Sequence, residues 1–338
     1  MPSASITRTN LRVPSSAPPL SALALIAAVA LLSIPAATSA ADGQSPRAPN
    51  IVFFLIDDLG WADLGCYGSR FHDTPRIDRL ARQGMRFTDA YAACCACSPT
   101  RASILTGKYP ARLRLTDWIP GHTPPNRKLR IPDWRQYLSR EEATIADVLQ
   151  AAGYATAAIG KWHLGGEPYF PEHQGFDVNV AGSNAGAPRS YFHPYGNRPS
   201  LPNGKPGEYL TDRLTDEAVR FIEAQGDRPF FLYLSHYAVH TPIQAKEEMV
   251  AKYQGREPSG GQQSPTYAAM LESVDQSVGR VLDTLDRLEL ADRTVVFFFS
   301  DNGGLLRPSA TSNAPLRSGK GFPWEGGVRV PLVVRWPS

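Results

Sequence analysis

Short apolar runs that alternate with helical patterns constrain the fold of this chain more than any other feature. The runs cover residues 50–56, 156–159, 230–234, 294–299 and 328–334. Continuous apolar runs of this length are typical of strands that are buried on both faces of a sheet. Together with the helical segments between them, they predict an α/β fold with a mostly parallel central sheet flanked by helices.

The helical segments have recognisable starts and faces. Thr74 and Pro75 offer a capping residue and a first-turn proline, and they predict a helix that runs through Leu80. Further helices are predicted over residues 143–152, 211–224 and 270–288, the last with apolar residues at three- and four-residue steps. Segments 165–210 and 257–265 are rich in Gly, Pro and polar residues and predict surface loops.

Acidic and amide side chains follow two of the predicted strands. Asp57 and Asp58 come directly after the 50–56 run, and Asp301 and Asn302 follow the 294–299 run. Ligands bind at the carboxyl ends of the strands in an open parallel sheet, and hard divalent cations prefer oxygen ligands. Such residues also cap turns after strands. Two pairs at two strand ends favour a metal site.

Basic side chains occupy comparable positions. Lys161 and His163 follow the 156–159 run, His240 follows the 230–234 run, and Lys320 stands between two glycines. A lone histidine is more often a structural residue than a catalyst. We interpret these four side chains as cationic candidates, and the place of Lys161 and Lys320 in glycine-flanked turns is suggestive.

Cys97 introduces a segment suited to holding an anion. Pro99 sets the first turn of a predicted helix, and Cys97 lies at its mouth. Backbone N–H groups and the helix dipole favour negative charge at that end. Arg101, one turn into the helix, is expected to add a fixed positive group.

These motifs together resemble a known family. Cys97-x-Pro99-x-Arg101 with the following Ala-Ser-Ile-Leu-Thr-Gly is similar to the signature of type I, arylsulfatase A-like sulfatases of the alkaline-phosphatase-like superfamily. Segments 49–60, 160–165, 240–242, 300–303 and 319–327 also resemble family blocks, in family order. The resemblance spans residues 49–337.

The resemblance implies a sulfatase with a modified nucleophile. Cys97 would be oxidised to formylglycine (3-oxoalanine) by a formylglycine-generating or anaerobic maturation enzyme. Calcium would bind to Asp57, Asp58, Asp301 and Asn302. The catalytic positions would be Cys97, Arg101, Lys161, His163, His240 and Lys320. Ser183 matches the family's substrate-contacting serine loosely, and the substrate would be a sulfated small molecule or a polysaccharide, with carbohydrate sulfates favoured over aryl sulfates.

The N-terminal segment has the pattern of an export signal. Two arginines precede an apolar stretch at residues 20–34, and small residues follow at 36–41. The stretch is shorter than the ~20 residues of a membrane-spanning helix. We therefore expect a signal peptide at 1–40, a linker at 41–48, a catalytic domain at 49–338, and a periplasmic or secreted protein without a stable membrane span. A net charge of +3 without a long basic run argues against a nucleic-acid partner.

Two features depart from the family pattern. Cys94 and Cys95 are not usual in the family and have no assigned role. A metal or redox site formed with Cys97 is a second interpretation of this cluster. The chain ends just after the 328–334 run, where relatives continue into a smaller subdomain. We therefore expect the C-terminal subdomain to be missing and the catalytic domain to be incomplete.

The same motifs are compatible with two further functions. A phosphate ester hydrolase of the same superfamily would share the sheet and the strand-end acids. An inactive, truncated sulfatase-like binding protein would keep the motifs without turnover.

Overall fold

In the computed structural model, which describes residues 48–122, 126, 128–197, 201, 203–306 and 310–336, the central sheet has seven strands. They are β1 Asn50–Ile56, β2 Met85–Phe87, β3 Ala155–Gly160, β4 Val178–Val180, β5 Phe230–Ser235, β6 Thr294–Ser300 and β7 Leu332–Arg335. Their order is β2–β7–β6–β1–β5–β3–β4. The expected signal peptide at 1–40 lies outside the described residues, as does all of the 41–48 linker except its last residue.

The sheet is mostly parallel, as predicted. Strands β6, β1, β5, β3 and β4 run parallel to one another, whereas β7 pairs antiparallel with both β6 and β2. Ile51 of β1 lies opposite Phe231 on one side and Val295 on the other. The carboxyl ends of β6, β1, β5 and β3 therefore meet at one edge of the sheet.

Helices cover the sheet and bury its apolar side chains. Their bounds are α1 Pro75–Gln83, α2 Cys97–Thr106, α3 Pro110–Leu113, α4 Ile145–Ala151, α5 Leu210–Glu223, α6 Glu247–Tyr253, α7 Pro265–Arg287 and α8 Glu325–Val328. Alternate residues of β1 serve two separate apolar cores, because successive strand side chains point to opposite faces. Val52, Phe54 and Ile56 lie in the core with α5 and α7, and Leu55 lies in the core with α2.

The last predicted strand begins later than expected. Val328, the first residue of the predicted run, is the last residue of helix α8, and strand β7 starts only at Leu332. Pro331 has no N–H group, so the ladder of strand hydrogen bonds begins after it. Strands β2 and β4 were not predicted, because they have three residues each and are too short to show a pattern.

The start of helix α1 also differs from the expectation. The Thr74 side chain does not cap the helix; its hydroxyl accepts a hydrogen bond from the Gly65 N–H at 2.8 Å. Asp275 of α7 takes the capping role, because its Oδ1 accepts from the N–H groups of Arg76 (2.9 Å) and Ile77 (2.8 Å). The cap is therefore a contact between two helices, which local sequence does not encode.

None of the helices in the described part of the chain is both long and apolar enough to cross a bilayer.

Candidate active site

The two acidic pairs predicted from the strand ends meet at the edge of the sheet. Asn302 Nδ2 donates to Asp58 Oδ1 at 2.7 Å, and the Asp58 N–H donates to Asp301 Oδ1 at 3.2 Å. Asp57 lies one residue earlier, at the end of β1, and all four side chains are buried. Asp58 has a φ of 65°, so the backbone turns sharply where the strand ends.

Two buried oxygens of this group have no hydrogen-bond partner among the described residues. They are Asp57 Oδ1 and Asn302 Oδ1. Buried polar atoms are normally paired, and a hard cation is one group that satisfies carboxylate and amide oxygens together. The donor set Asp57, Asp58, Asp301 and Asn302 therefore fits a divalent cation such as calcium.

The structure also brings together a second set of possible metal ligands, which includes a sulfur and an imidazole nitrogen. Ligand atoms within 4.8 Å of one another belong to Asp57, Asp58, Cys97 and His240. We favour the oxygen set for a hard cation because thiolate and imidazole suit softer metals. The proximity of Cys97 and His240 to the carboxylates still shows that all these side chains share one site.

Two lysine ammonium groups lie on the carboxylates. Lys161 Nζ, after β3, donates to Asp57 Oδ2 at 2.6 Å, and Lys320 Nζ donates to Asp58 Oδ2 at 2.8 Å. Burial opposes the ionisation of Asp58, but the charges of Lys320 and Lys161 outweigh it and hold the pKa of this carboxyl well below its usual range. Asp58 is therefore an anion at neutral pH.

Arg101 is fully buried, and its hydrogen bonds are to protein groups. Its Nε and one terminal nitrogen donate to Asp301 Oδ2 at 3.0 and 2.7 Å. The other terminal nitrogen donates to Ser235 Oγ at 2.6 Å and to the Lys161 carbonyl at 3.1 Å. The Arg101 guanidinium, expected to lie at the N-terminus of α2 as a free positive group, thus faces Asp301 and the strand ends. Arg101 does not line the cavity above Cys97, and in this arrangement it holds Asp301.

Cys97 is the first residue of α2, as predicted. Ala96 precedes it and offers no side chain to cap the helix, so the N-terminal N–H groups are open to another acceptor. The Cys97 side chain is buried at the bottom of a cavity. Burial raises the pKa of its thiol to about 11, although Lys161 and Lys320 act in the opposite direction.

One ring nitrogen of His163 is fixed by a hydrogen bond. Its Nε2 lies 2.6 Å from the Ile119 carbonyl, which makes Nε2 the N–H donor and leaves Nδ1 as an acceptor. Nδ1 has no partner among the described residues, and burial together with the charge of Lys161 holds the pKa of the ring well below its usual value. His163 is therefore a neutral ring whose Nδ1 lone pair is unused among the described residues.

His240 is held in the same way from the other side. Its Nδ1 lies 2.8 Å from the Thr241 carbonyl, and its Nε2 lies 3.6 Å from Asp58 Oδ2. Burial lowers the pKa of His240 to about 4, with Asp58 opposing this shift. The ring is neutral at rest, so it must take up a proton before it can donate one.

Ser183 does not reach the cavity within the described part of the chain. Its hydroxyl accepts from the Ala185 N–H at 3.2 Å, and its carbonyl accepts from the His163 N–H at 3.0 Å. The structure therefore joins Ser183 to the site through the backbone of His163, and its substrate contact stays a prediction.

The cavity above Cys97 has a volume of about 540 Å³. Its wall contains residues that were not predicted from the sequence, chiefly His122, Arg189 and Leu305. No sequence signal singles them out, because they lie in irregular segments and meet only through tertiary structure. Trp118 lines the cavity too. Tyr169 does not line it; its ring stacks on that of Tyr137, from the segment before α4, with 4.1 Å between the ring centroids.

Cys94 and Cys95, which have no assigned role, lie just before helix α2. All four cysteines, including Cys66, are free in the structure. The Cys95 carbonyl accepts from the Gly321 N–H at 2.7 Å, and Thr100 Oγ1 accepts from the Cys94 N–H at 3.1 Å. The backbone of this pair therefore ties the loop that carries Lys320 to the start of α2.

The mostly parallel sheet with its strand-end carboxylates places the chain in the alkaline-phosphatase-like superfamily. The chain belongs to the sulfatase family, since the family model named Sulfatase matches residues 49–338. This finding confirms the resemblance seen in the Cys97 motif.

Known relatives agree with this assignment. N-acetylgalactosamine-6-sulfatase of Canis lupus familiaris is 37% identical over 345 residues, which cover 91% of this chain and 60% of the dog protein. Arylsulfatase A of Homo sapiens is 36% identical over 326 residues, covering 86% and 60%. The crystal structure of Ps i-CgsB in complex with k-i-k-neocarrahexaose has a TM-score of 0.70 at 35% identity, covering 86% and 66%. The chain thus spans about three-fifths of the length of these curated relatives.

Proposed function

We propose that this protein hydrolyses sulfate monoesters, and that its substrates are sulfated carbohydrates. The observation that carries the proposal is the position of Cys97. It lies at the open N-terminus of α2, within 4.8 Å of the ligand atoms of Asp57, Asp58 and His240. Lys161 and Lys320 flank the same carboxylates. An anionic ester and a nucleophile at residue 97 fit this arrangement of charges.

The nucleophile of the proposal is formylglycine made from Cys97 by a maturation enzyme. The hydrated aldehyde has two hydroxyl groups, one to attack sulfur and one whose deprotonation later expels sulfate. A serine in the same place has only the first of these. Membership of the sulfatase family supports this assignment.

Calcium is the proposed metal, held by Asp57, Asp58, Asp301 and Asn302. The unpaired buried oxygens Asp57 Oδ1 and Asn302 Oδ1 support a cation here. Three carboxylates (Asp57, Asp58, Asp301) face three basic groups (Arg101, Lys161, Lys320), which leaves no net charge before a metal binds. Bound calcium would supply positive charge that favours an ionised hydroxyl at residue 97 and stabilises the sulfate oxygens.

The remaining side chains have proton-transfer and charge-stabilising roles in the proposal. Lys320 and Lys161 would neutralise the sulfate oxygens. His163 would take a proton from the second hydroxyl through its unpaired Nδ1. His240 must first be protonated, because burial keeps its ring neutral, and would then protonate the departing alcohol together with Lys320.

Carbohydrate is the proposed substrate class for two reasons. The cavity volume of about 540 Å³ is far larger than a sulfate group requires and suits a sugar ring with its neighbours. The names of the similar proteins also include N-acetylgalactosamine-6-sulfatase and a structure with a bound neocarrahexaose. Export to the periplasm or the medium, proposed from residues 1–40, would bring the enzyme to such polymers.

A paired assay tests the proposal. The protein, co-produced with a formylglycine-generating enzyme and supplied with calcium, is given an aryl sulfate and the matching aryl phosphate. We expect turnover of the sulfate, its loss in Cys97→Ala, and its retention in the matched control Cys66→Ala, because Cys66 lies away from the cavity above Cys97. Preferential turnover of the phosphate, or no turnover of either ester by material with residue 97 converted, would reject the proposal.

A further inference from the structure

Arg189 is an arginine of the cavity wall that forms no hydrogen bond or ion pair with any described residue. It is exposed, and it lines the cavity above Cys97. The other basic side chains of that wall have partners. Lys320 donates to Asp58 at 2.8 Å, and His122 lies 2.9 Å from Asp117. Among the described residues, Arg189 is therefore the cation of this cavity whose hydrogen-bond donors are available.

The short backbone link between Gly186 and Arg189 keeps Arg189 near the site. Residues 186–189 are consecutive members of the cavity wall. Gly186 packs against the His163 ring so closely that an added Cβ would lie 2.6 Å from Cε1. The three residues from Gly186 to Arg189 span at most about 11 Å, which limits how far the Arg189 backbone can lie from Gly186 and the His163 ring that it touches.

Much of the remaining cavity wall is apolar. Trp118, Ile119, Pro188 and Leu305 line the cavity together with the polar groups. An apolar wall suits the body of a sugar ring but contributes no compensation for the charge of Arg189. A guanidinium in that setting is suited to a planar or tetrahedral oxyanion, which it binds through paired N–H groups.

We infer that the substrate carries a second anionic group besides the ester that reacts, and that Arg189 binds it. The inference rests on the proposed function and makes it narrower. The reacting sulfate lies at Cys97 with Lys320, and a second sulfate or a uronate carboxylate, on the same sugar or the next one, lies at Arg189. Both groups have the same recognition chemistry, and the experiment distinguishes them.

Binding measurements on the inactive Cys97→Ala protein test the inference without turnover. Isothermal titration gives the Kd of N-acetylgalactosamine 6-sulfate, of its 4,6-disulfate, and of disaccharides that join the monosulfate to glucuronate or to neutral galactose. Each is measured with Arg189 intact, with Arg189→Gln, with Arg189→Lys, and with the exposed arginine of α3 changed as the control, Arg112→Gln.

We expect Arg189→Gln to weaken the disulfate or the glucuronate disaccharide by roughly tenfold to a hundredfold more than the matching mono-anion, as loss of a charge-assisted hydrogen bond predicts. Arg189→Lys should restore part of the loss, and Arg112→Gln should change nothing. The ligand that responds identifies sulfate or carboxylate. Equal weakening of all ligands, no weakening, or no binding of any of these anions overturns the inference.

Failure of the proposed function gives a different result. It appears as absent turnover of an aryl sulfate by the matured parent protein, and that ester carries a single anion, so its turnover does not depend on Arg189. The ratio of the Kd values for di-anionic and mono-anionic ligands is read separately, in protein that cannot turn over.

Discussion

At the scale of single residues, the site is a set of buried charges that neutralise one another. The ligand candidates Asp57, Asp58, Asp301 and Asn302 could be predicted because each closely follows a strong apolar run. Arg189 could not be predicted, since its segment has no period and its place in the cavity wall depends on tertiary contacts. The role of Arg101 in holding Asp301 was likewise invisible, because local sequence does not tell which acid a buried arginine meets.

Substitution of Arg101 tests that role. Arg101→Gln should lower the free energy of unfolding by about 3–5 kcal/mol, because it leaves Asp301 buried without its charged partner. Arg79→Gln, which removes a partly exposed pair with Asp283, is the control and should cost less than about 1 kcal/mol. Urea unfolding measures both. Equal costs would contradict the buried role of Arg101.

Substitution of Cys97 by serine tests the nucleophile. A sulfated serine has no second hydroxyl to expel sulfate, so Cys97→Ser should release about one alcohol per active site and then stall. Rapid-mixing kinetics with an aryl sulfate measures the size of this burst. Steady turnover by Cys97→Ser at the rate of the matured parent would be incompatible with the scheme.

At the scale of elements, the parallel strands are predictable and their junctions are not. The run at 50–56 coincides with β1 because every residue in it is apolar except the first. Helix α1 is predictable too, but its cap comes from Asp275, nearly two hundred positions away, as the hydrogen bonds to Arg76 and Ile77 show. Short strands such as β4 gain their structure from a neighbour, here β3, rather than from their own pattern.

The cap by Asp275 predicts a pH dependence. Burial raises the pKa of this carboxyl from 3.8 to about 7, against the lowering effect of the N–H groups of Ile77 and Arg76. A folded-state pKa above the unfolded value means that the stabilisation is complete below about pH 4 and is lost as the pH rises to 7. Asp275→Asn keeps the acceptor oxygen without the titration.

Unfolding free energies at a series of pH values test this expectation. Between about pH 5 and pH 8 the free energy of unfolding should fall by on the order of 2 kcal/mol more in the parent protein than in Asp275→Asn. Asp286→Asn, an exposed position on the same helix, is the matched control and should follow the parent. Parallel curves for the parent and Asp275→Asn would show that this carboxyl does not titrate near neutral pH in the folded state.

At the scale of the whole molecule, one edge of the sheet collects the acidic and basic residues of the site. That edge was predictable from the alternation of runs and helices, because parallel strands bring their carboxyl ends together. The shape of the cavity was not predictable, since Trp118 and Arg189 reach it from separate loops.

Metal addition should stabilise the entire folded chain. Calcium at about 100 times its Kd should add about 2.7 kcal/mol to the free energy of unfolding, and a chelator should remove this gain. Asp57→Asn should abolish the calcium-dependent rise in Tm, whereas Asp73→Asn, a partly exposed carboxylate paired with Arg256, should keep it. A rise in Tm that is unchanged in Asp57→Asn would place the bound ion elsewhere.

The mass of the peptide that contains residue 97, measured in protein that hydrolyses sulfate esters at its full rate, decides whether the nucleophile is formylglycine. Conversion of the thiol to the aldehyde lowers that mass by about 18 Da, and we predict this shift in the active material. An unmodified thiol at Cys97 in fully active protein would contradict the proposed nucleophile.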